Sequence, residues 1–388
     1  MLNLTSKFNL SNFRPSKKLL FTYFSFFSLL FFTQLCIQNE IYSCTAFSLT
    51  GADKKFIIMG KNYDWFVRDA LIYVNKRNVQ KKALVDINLE DHPLEWISKY
   101  GSVTFNQHGF GFPVGGMNEK GLTVETLVLH STIYPKYESQ SKVIGELQWN
   151  QYVLDSFETV DELIKNIDKI RINPLIAKVH YMVCDSNGYC GTFEYLKGKL
   201  VKKYFEIDQA KVLTNHSYED ASKYAASSDP DSVLDINGEP LKNKWYSLDR
   251  FKNTSEYINE LRWNDFISDA FDVLSNATVN LFDRDWGFSF TQWSIVYDIK
   301  NKKINYIDKK HSRIKKIDVN DFDYSCSEPV EYAHMNTNTD PYFKYYSRLA
   351  NNWLVDKMYA AHIVIGLKPI KWMSSIKKYP ASESCLDR

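Results

Sequence analysis

The sequence predicts an α+β fold built in layers, with antiparallel sheets carrying most of the chain. Three observations predict it. Short strand-like runs are joined by tight polar turns, helical periodicities fall between groups of strands rather than alternating with single ones, and no internal repeat, low-complexity tract or convincing linker divides the chain. Strands joined this closely pair most simply as antiparallel neighbours, which points away from a parallel doubly wound sheet.

The first 43 residues stand apart. Lys7, Arg14, Lys17 and Lys18 occur there without an acid before them, Leu19 to Ile37 then run without a charge, and QNEIYS follows. A basic start, an apolar stretch and a short polar end are the parts of a secretory signal. The apolar run is also long enough to span a bilayer as a retained anchor. The small Ser43, with globular sequence directly after it, favours removal just before Cys44. A periplasmic or extracellular location is therefore expected, with membrane contact only through this segment.

From Cys44 the elements follow in order. TAFSL and FIIMGKNYDW flank TGADKK and read as a hairpin, with Cys44 at the start of its first strand. HGFGFPVGG holds several glycines but not the GxGxxG spacing, so it reads as a tight turn rather than a phosphate loop. Thr159 to Glu162 form a capping-box pattern, opening a helix whose apolar residues Leu163, Ile164 and Ile167 share a face. VHYMVCD, CGTFEYL and KLVKKYFEI make a three-stranded meander. Trp263 to Asn276 read as a second amphipathic helix, and QWSIVYDI with KINYIDK as another hairpin. One catalytic domain from Cys44 to about Asp340 is the simplest division. The extension from Pro341 reads as a helix and a following apolar segment that either packs on the domain or serves assembly.

Composition narrows the function. The 388 residues are 44% apolar and 15% aromatic, enough for a sizeable core. With 48 basic against 46 acidic residues the net charge is +2, so no long-range field steers the protein to nucleic acid, and no nucleic-acid partner is expected. Five cysteines lie beyond the export segment: Cys44, Cys184, Cys190, Cys326 and Cys385. The number is odd, so at least one thiol stays free if the others pair. Cys184 and Cys190 flank DSNGY and can face each other across two strands. There is no CxxC and no Cys/His cluster of zinc spacing, so no metal is expected.

Three readings compete for Cys44. It is a half-buried strand cysteine, a lipid anchor, for which Ile-Tyr-Ser-Cys is a partial signal that Tyr42 fits badly, or a nucleophile. Removal of the preceding segment would leave Cys44 with both a thiol and an α-amine, which titrate near ~8.5 and ~8. Together they form a nucleophile and its base in one residue. Such a site further requires a group to orient the amine, a donor for the oxyanion and a nearby positive charge.

CTAFSL with GKNYDW, then GGMNEKGL, VLTN and SLDRF resemble, in that order, the motifs of the choloylglycine hydrolase and penicillin V acylase family of N-terminal nucleophile hydrolases. The resemblance runs from Cys44 to about Asp308. It implies a four-layer αββα sandwich of two antiparallel sheets and cleavage of a linear amide in a small-molecule N-acyl substrate, such as penicillin V, a conjugated bile salt or an N-acyl homoserine lactone, without metal or cofactor. Carried over residue by residue, Cys44 is the nucleophile, Asp64 holds its amine, Asn215 donates to the oxyanion and Arg250 lies near the thiolate. Two positions depart from the pattern. Lys61 stands where bile-salt hydrolases have arginine, keeping the charge without the planar fork. Val128 stands where they have asparagine, leaving only its main-chain N–H for the oxyanion.

Trp65, Phe110, Phe112 and the run from Phe288 to Trp293 are candidates for an apolar acyl pocket, weighed against ordinary core packing. His216, beside Asn215, is structural or substrate-facing, since an N-terminal nucleophile needs no separate base. The resemblance leaves a homo-oligomer open, and the sequence shows no periodic interface pattern. The competing function is non-enzymatic: an envelope-anchored binding protein on the same fold, with Cys44 lipidated or the first segment retained.

Overall fold

The computed structural model describes residues 44–387 apart from 66, 86–91, 137–141, 206–210, 230–231, 242–244, 279–290 and 365–370. Residues 1–43, whose sequence reads as a secretory signal, and residues 288–290 of the proposed aromatic lining lie outside the described residues. The early strands are β1 (Thr45–Thr50), β2 (Ile57–Asp64), β3 (Leu71–Asn75), β4 (Val79–Lys82), β5 (His92–Pro93), β6 (Glu95–Ile97), β7 (Ser102–Asn106), β8 (Pro113–Asn118), β9 (Thr123–Val128) and β10 (Lys142–Ile144). The middle of the chain adds β11 (Ile170–Ile172), β12 (Val179–Cys184), β13 (Cys190–Leu196), β14 (Lys199–Phe205) and β15 (Lys211–Leu213). Last come β16 (Thr291–Asp298), β17 (Lys303–Asp308), β18 (His311–Asp318), β19 (Glu331–His334), β20 (Lys344–Tyr345) and β21 (Ser384–Cys385). The helices are α1 (Glu146–Ser156), α2 (Val160–Asn166), α3 (Tyr218–Ala226), α4 (Trp245–Glu260), α5 (Phe266–Asn276), α6 (Arg348–Val364) and α7 (Met373–Lys378).

Two antiparallel sheets dominate, a six-stranded one in the order β15-β1-β2-β16-β17-β18 and a nine-stranded one in the order β14-β13-β12-β9-β8-β7-β3-β19-β20. This agrees with the layered α+β fold that the sequence predicts and with the sandwich that the family resemblance implies. Alternation along each strand divides its side chains between two layers. On β1 and β2, Ala46 and Met59 face the second sheet in the central core, while Phe47 and Ile58 join Leu248, Phe251, Val273 and Leu274 beneath α4 and α5. Val124, Tyr181, Val183 and Phe193 of the nine-stranded sheet pack instead under α1 and α2 with Trp149 and Leu163. The two sheets thus lie between helical layers.

Local signals correspond to local structure. Thr159 caps α2 by accepting from the Glu162 amide at 3.2 Å, and the Glu162 carboxylate reaches back to the Glu158 amide rather than to that of Thr159. The second predicted helix begins later than expected, at Phe266, because Asp265 supplies the cap through the Ser268 amide. Cys184 and Cys190 are partners across β12 and β13 and form a disulfide, Cys326 pairs with Cys385, and Cys44 is free and buried. In NEKGL, Asn118 is structural: its amide nitrogen bonds the Leu154 and Phe157 carbonyls at the end of α1, and its oxygen takes the Lys120 and Leu122 amides.

Residues from 341 on pack as part of the same unit as the rest of the described chain. Leu354, Val355, Met358, Ile376 and Tyr379 are buried in its cores. The turn at 109–112 backs directly onto them. Gly109 and Gly111 hold φ of 107° and 84°, and a side chain added at either would meet Val355 or Tyr379 within 3 Å. This turn determines where Phe110 and Phe112 point. Of the two readings that the sequence leaves for these rings, an acyl pocket or core packing, the structure has core packing. Phe110 packs edge-on against Tyr73 and donates its amide to Asn351 of α6, and Phe112 packs edge-on against Tyr379. The left-handed glycines turn the two rings toward the C-terminal helices. Among the described residues, no helix is long and apolar enough to cross a membrane.

Candidate active site

Cys44 lies immediately before β1, 4% exposed, and its Sγ donates to the Asp64 carbonyl oxygen at 3.9 Å. The β1–β2 pairing brings the two ends of the hairpin together, with Thr45 opposite Asn62, so residues twenty apart in sequence become neighbours. Burial pushes the Cys44 thiol above its ordinary range, against the opposing pull of Lys61 and Arg250, and the thiol rests protonated at neutral pH. Asp64 is buried as well. Its Oδ1 accepts from Thr291 Oγ1 at 2.5 Å, while Oδ2 has no hydrogen-bond partner among the described residues. Desolvation raises its pKa to about 6, partly offset by Arg250 and the Thr291 hydroxyl.

Helix α4 delivers two side chains to one place. Ser247 and Arg250 are one turn apart and therefore share a face. The Ser247 hydroxyl accepts from the Asn215 amide at 2.7 Å, fixing its backbone. Arg250 fixes the side chain: Nη2 donates to Asn215 Oδ1 at 3.0 Å, and Nη1 donates to the Cys44 carbonyl at 2.9 Å and to Thr45 Oγ1 at 2.6 Å. With its oxygen held, Asn215 must turn its NH2 the other way, where Nδ2 donates to the Val128 carbonyl at 2.8 Å. The same loop is held from below by buried His180, which joins Glu194 to the Thr214 carbonyl at 2.8 Å each, while Glu194 also takes the Tyr218 amide opening α3. Arg250 is lowered to about 10 by burial and stays cationic.

Val128 is placed by register. The Leu129 amide donates to the Lys178 carbonyl, so the next pair, Val128 opposite Val179, is a non-hydrogen-bonded one. Its N–H and C=O therefore both point away from β12, toward Asn215. Two residues earlier Thr126 points its carbonyl the same way, to Lys61 Nζ at 2.6 Å. Lys61 is fully buried and also pairs with Glu125 at 3.1 Å, whose other oxygen accepts from the Tyr297 hydroxyl. Gly115 makes room for that pair, since a Cβ there would lie 2.4 Å from the Glu125 carboxylate.

Beside Cys44 opens a pocket of about 460 Å³, its mouth included, lined by Asp64, Tyr63, Trp65, Thr126, Val128, His108 and the apolar Val114, Leu147, Ile176 and Val179. The structure thus gathers Cys44, Asp64, Asn215, Arg250, Trp65 and Val128 at one corner, with Lys61 beside them. Phe110, Phe112 and His216 do not line it. Trp293 stacks on Tyr63 at 4.1 Å between centroids, inside the core. Sequence reasoning missed Thr291, Ser247, Glu125 and His108. Ser247 and His108 carried local signals, since Ser247 opens the SLDRF motif and His108 precedes the Gly-Phe-Gly-Phe turn; Thr291 and Glu125 are brought in by strand pairing.

Comparison with known proteins agrees with the family resemblance. Residues 49–313 match the model of the family described as acyl-coenzyme A:6-aminopenicillanic acid acyl-transferase. A penicillin V acylase of Pectobacterium atrosepticum is 29% identical over 249 residues, 54% of this chain and 64% of that protein, so the chain spans a little under two thirds of that relative's length. Penicillin V acylase from Agrobacterium tumefaciens superposes with a TM-score of 0.63 at 25% identity, over 78% of this chain and 98% of that one. A mutant of conjugated bile acid hydrolase from Clostridium perfringens, at 19% identity, has the same fold, with a TM-score of 0.55 over 78% of this chain and 96% of that one. From the family match across most of the domain and the sandwich shared with these structures, the chain belongs to the family described as acyl-coenzyme A:6-aminopenicillanic acid acyl-transferase, and its relatives support the resemblance to the choloylglycine hydrolase and penicillin V acylase family.

Proposed function

We propose that the protein is an exported amide hydrolase in which Cys44, freed at the N-terminus by loss of residues 1–43, cleaves the linear amide of an N-acyl substrate. The observation that carries this reading is the Arg250 fork, which ties the Cys44 carbonyl and the Asn215 side chain into one network at the pocket. Cys44 Sγ attacks the acyl carbon while its proton passes to the Cys44 α-amine, held by the unpartnered oxygen of Asp64. Negative charge on the carbonyl oxygen is met by the second hydrogen of Asn215 Nδ2 and the Val128 N–H. The amine then gives its proton to the leaving nitrogen, the C–N bond breaks, and water releases the acid from the thioester. A thiol that rests protonated suits this sequence, because the attack supplies the proton that the leaving group takes up.

The mostly apolar lining of the pocket supports an apolar acyl group, of the kind that the relatives named for penicillin V suggest. The test is intact mass and N-terminal sequence of protein recovered from a secreting host, followed by amine release from N-phenoxyacetyl substrates. An unmodified Cys44 at the N-terminus and activity lost in Cys44→Ala are expected. A lipid adduct on Cys44, or a retained Leu19 to Ile37 segment, would replace this reading with that of an anchored binding protein.

A further inference from the structure

The polar side chains that line the pocket away from Cys44 are mostly occupied. Tyr63 donates its hydroxyl to Gln107 at 2.6 Å, and the Thr126 hydroxyl accepts from Asn150 at 2.5 Å. His108 differs. It lines the pocket and is 6% exposed, yet its Nδ1 has no hydrogen-bond partner among the described residues. Its position is not loose. Gln107 beside it is held by Tyr63 and by the Val67 carbonyl, and Phe110 just after it is held by Asn351. The ring meets His362 of α6 edge to face at 6.5 Å, and His362, also 6% exposed, has an unpartnered Nε2 and lies 6.1 Å from Trp65.

Burial keeps these rings neutral, with His108 lowered to about 3. A neutral imidazole has one donor and one acceptor nitrogen, so it can bond a ligand oxygen of either kind. A buried polar group without a partner is costly, and a ligand atom that completes it gains what a methylene in the same place does not.

Resting on the amide-hydrolase reading of the site, we propose that His108 is a specificity-determining residue whose imidazole hydrogen-bonds an ether, hydroxyl or keto oxygen in the acyl chain, so that the pocket selects oxygen-bearing acyl groups over all-carbon ones. His362 backs the ring from the C-terminal extension, which thereby contributes to substrate choice although it lies outside the residues that match the family.

The test uses acyl groups that differ only by O for CH2. Binding of phenoxyacetamide and 3-phenylpropanamide is measured on full-length Cys44→Ala protein, and kcat/KM of the corresponding 4-nitroanilides on the wild type and on His108→Leu and His108→Asn. A preference of about tenfold for the oxygen-bearing partner is expected in both measurements, as one hydrogen bond supplies. His108→Leu brings the ratio close to one, and His108→Asn keeps part of it. A wild-type ratio near one overturns the proposal without any variant having to fold, and so does a ratio that survives in His108→Leu or a loss there that is equal for both substrates. Selective binding without anilide hydrolysis sustains the role of His108 while refuting the amidase reading; hydrolysis without selectivity does the reverse. Absence of both refutes both.

Discussion

Asp64 is the residue whose chemistry is most sensitive to its surroundings. Enclosure in the protein raises its carboxyl to about 6, even with Arg250 and Thr291 beside it. Below that pH the acid is protonated and cannot hold a cationic or hydrogen-bonding amine as a charged partner. With the carboxylate as the working form, kcat/KM falls as pH drops through about 6, and Asp64→Asn removes this acid limb along with most of the activity. A pH–rate profile of the two proteins checks it. Asn215 gives a second prediction. Its backbone is held by Ser247 and its oxygen by Arg250, so Asn215→Ala removes an aimed donor with little disturbance of the core. The expected loss is about 10²–10³-fold in kcat, with a melting temperature close to that of the wild type; a loss of only a fewfold would show that Nδ2 does no more than bind the Val128 carbonyl.

At the scale of elements, the C-terminal extension is attached at several points. β21 pairs with β4, the Leu386 amide donates to the Asn78 carbonyl, and Cys385 is linked to Cys326 across a separation of 59 residues. Closing a loop of that length restricts the unfolded chain by about 4 kcal/mol in the chain-entropy view. Cys385→Ser is therefore expected to lower stability by up to ~4 kcal/mol, read as a lower denaturant midpoint with a steeper slope as the unlinked chain exposes more surface on unfolding, and dithiothreitol should bring the wild type toward the variant. The hairpins, the meander and the capping box were legible in the sequence because each is decided within about twenty residues by turn chemistry and periodicity. The direction of Phe110 and Phe112 was not legible, because two glycines of positive φ turn them toward helices more than two hundred residues away.

For the molecule as a whole, the extension is part of the core. Leu354, Val355, Met358, Ile376 and Tyr379 are all at most 5% exposed. At ~2 kcal/mol for each large side chain their burial contributes roughly 10 kcal/mol, comparable with the whole stability of an ordinary domain. A chain ended after Asp340 should therefore fail to give a soluble, cooperatively melting protein, as size exclusion and calorimetry would show; a folded truncation would mean that the extension is a separate attachment. The same packing sets His362 against His108 and Trp65, so stability and the pocket's far wall depend on one element.

What the sequence by itself determined was the kind of chemistry available and the pattern of the layers. Cys44, Asp64, Asn215 and Arg250 were identifiable in order as candidates for a nucleophile, an orienting acid, an amide donor and a cation, because short motifs carry such residue types, and strand alternation is a local property. Only the tertiary structure decided how they meet. Arg250 lies 206 residues from Cys44 yet holds its carbonyl, Thr291 lies 227 from Asp64 yet holds its oxygen, and Val128 faces the site through the register of a strand pair. Contacts at such separations follow from how sheets pair and helices cover them. No local pattern encodes them, which is why the pairing of Thr291 with Asp64 became visible only in the fold.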